Sequence, residues 1–235
     1  MSEPRISVVI PVHNGERYLA AAIESAVSRR PFEVIVADDG STDSSLGLAH
    51  GFGSPVRALP HERCTGIAAT RNRGVAASRG DHVAFLDADD VWTVDALRSQ
   101  LAAFAADPGL ELVFGHVQQF VSPDLDEASA NALRFVRALQ PGYLAGAVLI
   151  RRDVLARVGP FREDLVTGEF LDWMSRAREL DVREALTPEH VLWRRIHSSN
   201  QGRRRADARG DYARVLKSAL DRRRQAAAEA PPEGR

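Results

Sequence analysis

The chain has one cysteine in 235 residues. Cys64 has no partner for an intramolecular disulfide, and one thiol cannot build a thiolate zinc site, so a reducing compartment is expected. Long apolar runs are also missing: no stretch approaches the ~18 residues of a membrane span. The opening Met1-Ser2-Glu3-Pro4-Arg5 lacks the basic-then-apolar pattern of an export leader. Together these absences predict a soluble, cytoplasmic protein. An excess of charge is missing too, because Lys+Arg number 31 against 32 Asp+Glu, a formal net charge of -1. No general field draws a nucleic acid, and none is expected as a partner. Local basic patches occur only around Arg203-Arg204-Arg205 and Arg222-Arg223-Arg224. What the chain does have is 44% hydrophobic residues, enough for the core of one sizeable domain.

Ile6-Ser7-Val8-Val9-Ile10-Pro11 is a nearly continuous apolar run, the pattern of a parallel strand covered on both faces. Asn14 and Gly15 offer a helix start, and Leu19, Ile23 and Val27 recur at helical spacing before Arg29-Arg30-Pro31. A second apolar run over 33–37 ends in Asp38-Asp39-Gly40-Ser41. Strand, helix, strand with short connections opens a right-handed parallel βα repeat. Helix follows over 66–78 and a buried strand over 82–86, ending in Asp87, Asp89 and Asp90. Thr93 is read as the N-cap of a helix carrying Leu97, Leu101 and Phe104, stopped by Asp107-Pro108-Gly109. Strands are expected over 112–114, 117–121, 147–150 and 190–197, a polar loop over 123–129, and helices over 152–158, 170–180 and 206–224. The fold class is therefore α/β: one Rossmann-like domain, with a mostly parallel central sheet flanked by helices, plus a C-terminal helix. The domain spans 1–202, with a nucleotide-binding half over about 1–110 and an acceptor and catalytic half over about 111–202. A basic helix over 203–225 and a flexible tail over 226–235 complete the chain.

Ligands of open α/β sheets collect beyond the carboxyl ends of the strands. Two strands here end in clustered carboxylates, Asp38/Asp39 and Asp87/Asp89/Asp90. Like charges gathered in one place call for a cation, and one or two carboxylates with phosphate oxygens and water suit Mg2+ or Mn2+. Asp43 and Asp90 read instead as turn and cap residues, and Trp92 as core.

Four segments carry a resemblance. They are Ser7-Val8-Val9-Ile10-Pro11-Val12-His13-Asn14-Gly15-Glu16, the Val34–Asp43 stretch with Asp38-Asp39-Gly40-Ser41-Thr42-Asp43, Gly66-Ile67-Ala68-Ala69-Thr70-Arg71-Asn72-Arg73-Gly74, and Phe85-Leu86-Asp87-Ala88-Asp89-Asp90-Val91-Trp92. In order and spacing they resemble the family 2 glycosyltransferases of GT-A fold. The resemblance implies a nucleotide-sugar donor, UDP-linked first among the candidates. It implies that Pro11, Val12, His13, Asn14 and Glu16 wrap the nucleobase. Asp39 would accept the uracil ring N–H, and Arg71 would sit near the base or diphosphate. Asp87 and Ala88 would lie on the nucleotide, with Asp87 and Asp89 on the metal. His13 stands where the family often has Tyr.

An inverting transferase needs a carboxylate to take the acceptor hydroxyl proton as the anomeric carbon is attacked. The family places it in a Glu-Asp pair at a helix start, here Gly168-Glu169-Phe170-Leu171-Asp172. Phe170 replaces the usual Asp, which leaves Glu169 and Asp172, one turn apart, as the two candidate bases. Asp172 has a structural alternative, a salt bridge to Arg176. The segment Arg195-Ile196-His197 through Asn200 is similar to the family's late Arg-x-His-x-x-Asn, which implies His197 as a further metal ligand. Arg194 and Arg195, with Arg203 to Arg205, are expected as a lid over phosphates. The basic C-terminal helix suggests peripheral membrane contact as one option, while the lack of a span favours a soluble sugar, peptide or metabolite as acceptor. Two alternatives stand beside the transferase: a non-catalytic nucleotide-sugar-binding protein, raised by Phe170, and a sugar nucleotidyltransferase. The second is disfavoured because residues 12–16 contain no Gly-rich triphosphate loop.

Overall fold

The computed structural model describes residues 4–125, 135–197 and 208–229. The expected repeat opens it: β1 (Ile6–Val12), α1 (Glu16–Val27), β2 (Glu33–Asp38), α2 (Ser45–Gly51), β3 (Val56–Leu59), α3 (Ile67–Ala77) and β4 (His82–Phe85). Every residue of β1 and β2 is buried, which is why both runs are apolar throughout rather than alternating. Strand β1 lies parallel to β2 and to β4, with Val9 opposite both Ile35 and Phe85. Beyond them come β5 (Val91–Trp92), α4 (Arg98–Ala106), β6 (Leu112–Val121), β7 (Gln140–Pro141), a 3-10 turn (Ala145–Ala147), β8 (Val148–Arg151), α5 (Arg152–Val158), α6 (Glu169–Glu179), β9 (Glu184–Ile196) and α7 (Ala208–Glu229).

The sheet order is β3-β2-β1-β4-β8-β6-β9-β5, with β7 beside β6. Strand β8 runs antiparallel to both β4 and β6, while β9 returns parallel to β6, so most cross-strand partners lie in parallel pairs. Alternate residues of β1 serve opposite faces. Val8 and Ile10 pack with Leu19, Ile23 and Leu86 under α1. Val9 packs with Phe85, Phe114 and Trp173 under α3, α5 and α6. Each such side chain contributes about 1.5–3 kcal/mol on burial. Helix α3 comes close to β1 because Gly74 has no side chain: a Cβ there would sit 2.3 Å from Val9 Cγ1.

Several elements depart from the sequence reading. Helix α2 and strand β3 were not anticipated, since 45–51 is too short and Gly-rich to show a periodic stripe. Strand β9 starts at Glu184 rather than 190. Thr93 does not cap α4. Its hydroxyl donates to the His190 carbonyl and accepts the Asp95 N–H, tying β5 to β9, and the helix begins at Arg98 after Leu97 in a left-handed conformation (φ 62°). Helix α7 runs on to Glu229. The expected start at 206, the end of the polar loop at 126–129, the run Arg203–Arg205, Asn200 and the end of the tail at 230–235 lie outside the described residues. Among the described residues no helix is long and apolar enough to cross a membrane.

Candidate functional site

The parallel strands β1, β2 and β4 release their chains at one edge, and the loops that follow build the site. Asp39 N–H donates to the Val12 carbonyl at 2.8 Å, so the two loops leave side by side. They are then stitched together. Asn14 N–H donates to Ser41 Oγ at 2.9 Å, Gly15 N–H to Ser45 Oγ at 2.9 Å, and Glu16 N–H to Asp43 Oδ2 at 3.0 Å. In return Asn14 Oδ1 accepts Thr42 N–H at 2.8 Å and Glu16 carboxylate accepts Ser44 N–H at 2.9 Å. Asn14 and Glu16 therefore knit the loops, and their own N–H groups are already spent. His13 is exposed, and its Nδ1 donates to the Asp39 carbonyl at 2.8 Å, which leaves Nε2 as an acceptor on the neutral ring. Pro11 and Val12 are buried beneath this pair of loops. Asp43 also caps its own turn, accepting Ser45 N–H at 3.0 Å.

Asp39 is buried, and its carboxylate is met by the loop entering α3. Thr65 Oγ1 donates at 2.7 Å, Thr65 N–H at 2.9 Å, Gly66 N–H at 2.8 Å and Cys64 Sγ at 3.3 Å. Burial pushes the carboxyl up, but these donors outweigh it and hold Asp39 below the ordinary aspartate range. Gly40 allows the crossing: a Cβ on it would meet the Arg63 carbonyl carbon at 2.6 Å. Arg73, which the sequence reading passed over, donates to the Asp38 carbonyl at 3.0 Å and lies 3.5 Å from Asp39 Oδ1. Only its place two residues after Arg71 hinted at it, because that spacing sends the two arginines to different faces of α3.

Arg71 takes the other face. Its side chain is 5% exposed and bridges Asp87 Oδ1, at 2.7 Å, to the Glu169 carboxylate at the start of α6. The two charges and the two hydrogen bonds outweigh desolvation and raise the guanidinium further above its ordinary value. Asp87 thus turns to Arg71, while Asp89 turns to His197, whose Nε2 lies 2.9 Å from Asp89 Oδ2. Among the described residues no three metal-binding side chains converge. The expected trio of Asp87, Asp89 and His197 is divided into a pair and an ion-paired aspartate. Ala88, between the two acids, packs on the core under α1.

Asp90 points inward, accepting Arg195 N–H at 2.8 Å. Burial first, then the neighbouring Asp89 and Asp87, push its carboxyl well above the ordinary range. Arg195 is no lid. Its guanidinium is sandwiched between the rings of Tyr18 and Phe120, 4.7 Å from each, and Nε donates to the Asp89 carbonyl at 2.9 Å. Tyr18 also lies against His197, ring centroids 4.9 Å apart. This stack holds the Asp89–His197 pair in place, and its members are too far apart in sequence to be read as a unit.

The remaining candidate base lies elsewhere. Asp172 is fully buried and ringed by arginines: Arg176 at 2.9 Å, Arg162 at 3.5 Å and Arg222 at 3.8 Å. The structural alternative, the Arg176 bridge, is present. Phe170, in place of the expected Asp, joins an aromatic core with Phe114, Phe161 and Trp173. Trp92 is core as expected, its indole N–H donating to the Gly146 carbonyl at 2.8 Å.

The model of glycosyl transferase family 2 matches residues 7–157. Glycosyltransferase AglE of Haloferax volcanii is 29% identical over 201 residues, 80% of this chain and 65% of the relative. In structure, S. aureus TarS 1–349 in complex with UDP-GlcNAc superposes with a TM-score of 0.73 at 19% identity, over 92% of this chain and 65% of that one. Mannosyltransferase PcManGT from Pyrobaculum calidifontis, in complex with GDP-Man and Mn2+, gives 0.68 at 18% identity, over 94% and 65%. At such identities the structural likeness is one of fold. This chain spans about two thirds of the length of each of these three proteins.

Proposed function

The chain belongs to glycosyl transferase family 2, and from that premise we propose that it moves a glycosyl group from a nucleotide-diphosphate sugar to an acceptor hydroxyl, with inversion. The observation that carries this reading is the Asp89–His197 contact, 2.9 Å between the turn after β4 and the residue that follows β9, beside the Arg71 bridge from Asp87 to Glu169. A UDP-sugar is the first donor to test, since the resemblance gives Asp39 the uracil ring N–H. TarS, crystallised with UDP-GlcNAc, and PcManGT, with GDP-Man and Mn2+, make both nucleotides worth testing.

Asp89 and His197 supply one carboxylate and one imidazole; with phosphate oxygens and water the set fits Mn2+, while Mg2+ would use the carboxylate and leave the imidazole aside. Bound there, the ion would offset the negative charge of the departing diphosphate. Arg71 adds a fixed positive charge beside Asp87. Glu169 is the preferred base: it lies at the site edge on Arg71, whereas Asp172 is locked among three arginines. In the transfer the acceptor oxygen bonds to the anomeric carbon, its proton passes to Glu169, and the bond to the diphosphate oxygen breaks. General-base assistance of this kind contributes about 10²–10⁴-fold. Glu169 must leave Arg71, at least in part, to accept that proton. Phe170 supports a second reading, a protein that binds nucleotide-sugar without turning it over, because its ring is committed to the core.

The deciding experiment is thermal unfolding with UDP, with and without Mn2+, on wild type and Asp89→Ala. Ligand at about 100 times its dissociation constant adds roughly 2.7 kcal/mol, a rise of very roughly 5–10 °C. A metal-dependent rise that Asp89→Ala abolishes is expected. A rise that persists in the variant would sink the metal assignment, and absence of any response to UDP and to GDP would sink the nucleotide site. Release of nucleotide from the responding donor then separates transferase from binding protein.

A further inference from the structure

Helix α7 reaches the Glu169 end of the site through the loop that precedes α6. Asp211 is 6% exposed, and its Oδ2 accepts the backbone N–H of Val166 at 2.9 Å and of Thr167 at 3.1 Å. Arg214 braces the same carboxylate at 2.9 Å and reaches Asp164, the carbonyl at 3.1 Å and the carboxylate at 2.6 Å. The next residue of the loop, Gly168, sits at φ +80° with Tyr212 and Val215 over it, 3.4 and 3.7 Å from where a Cβ would be. Glu169 follows at once. Farther along, Arg222 of α7 holds Glu179 at the other end of α6, at 2.6 Å.

A glycine in the left-handed region is soft, since its backbone has many accessible states. A carboxylate carried on the next residue would wander unless something fixed the turn. Misplacement by about 1 Å can cost about 10²-fold in rate. We propose that α7 is a positioning element of the site: Asp211 clamps the turn at Val166 and Thr167 so that Glu169 meets Arg71. The proposal rests on the reading of Glu169 as the base. Asp211 itself touches neither donor nor acceptor, and it acts through Glu169.

The test uses Asp211→Ala and Asp211→Asn, each alone and combined with Glu169→Gln, with circular dichroism to establish that they fold. Hydrogen exchange over residues 165–172 should quicken about tenfold in Asp211→Ala, whereas Asn, whose amide oxygen still accepts both N–H groups, should stay near wild type. In urea unfolding, Glu169→Gln should lower the midpoint in the wild-type background and hardly at all in Asp211→Ala, because the Arg71 contact is already lost. In metal-dependent release of UDP from UDP-glucose or UDP-GlcNAc, or of GDP from GDP-mannose, Asp211→Ala should lower kcat about 10–100-fold with donor KM unchanged. Asp211→Asn should recover most of it. Additive midpoint shifts, or unchanged exchange, would overturn the proposal by showing that Asp211 merely anchors α7. If wild type releases nucleotide from no donor, the transfer reading fails alone, and exchange and the unfolding cycle still decide whether Asp211 places Glu169.

Discussion

Arg71 is the residue on which the site turns. Its guanidinium lies between Asp87, which is partly open to water, and Glu169, which is 9% exposed. Removing a buried charge leaves its partner uncompensated, and that is worse than never having had the pair. Arg71→Met is therefore expected to lower stability by about 3 kcal/mol, measured as a shifted urea midpoint. Adding Glu169→Gln should recover part of the loss, because the stranded charge disappears with it. A double variant no better than Arg71→Met would mean that Glu169 is not the group Arg71 neutralises. The two acids of the Asp87-Ala88-Asp89 motif look interchangeable in sequence but have separate partners, one an arginine on α3 and the other a histidine at the end of β9. Nothing local to residues 87–89 distinguishes them. The distinction comes from which partner the fold presents to each.

At the scale of elements, the opposite edge of the sheet has its own charged centre, and it is structural. Glu33, the first residue of β2, accepts Ser7 Oγ at 2.8 Å, Arg79 N–H at 2.7 Å, and the guanidinium groups of Arg79 at 3.0 Å and Arg57 at 3.2 Å. It ties β1, β2, β3 and the turn after α3 together where the strands begin. Burial raises its carboxyl, but the donors outweigh it and leave the pKa below its ordinary value of 4.5. A carboxyl depressed on folding contributes stability above its unfolded pKa, and the contribution fades as pH falls through the folded value. Urea midpoints followed from about pH 6 to about pH 3 should therefore fall less in Glu33→Gln than in wild type. Equal slopes would mean that Glu33 does not carry the acid sensitivity. Continuous apolar runs revealed β1, β2 and β4, and helical spacing revealed α1. Neither signal marks α2, where seven residues include two glycines, β3, whose four residues are broken by Arg57, or β5, which has two residues.

For the molecule as a whole, one of the contacts that join the two halves is a buried amide. Gln100 on α4 donates to the carbonyls of Val113 and Ala147, both at 3.0 Å, and its Oε1 accepts Leu97 N–H at 3.1 Å. Gln100→Ala would strand these groups away from water, at about 1–3 kcal/mol for each one left unpaired. A loss of at least about 2 kcal/mol in urea unfolding is expected, and a loss near zero would mean that water replaces the amide. The sequence by itself determined the α/β class, the parallel opening and the edge where the acids gather. Those follow from local apolar runs and from the handedness of βα units, which need no distant partner. The pairing of His197 with Asp89 joins residues 108 apart in the chain, and the seating of Arg195 between Tyr18 and Phe120 joins β9 to α1 and β6. The ring of Arg162, Arg176 and Arg222 around Asp172, and the contacts from Asp211 to the Val166 and Thr167 N–H groups, likewise join separate elements. Such contacts exist only once the sheet has closed and its helices have docked, so tertiary structure alone decided them.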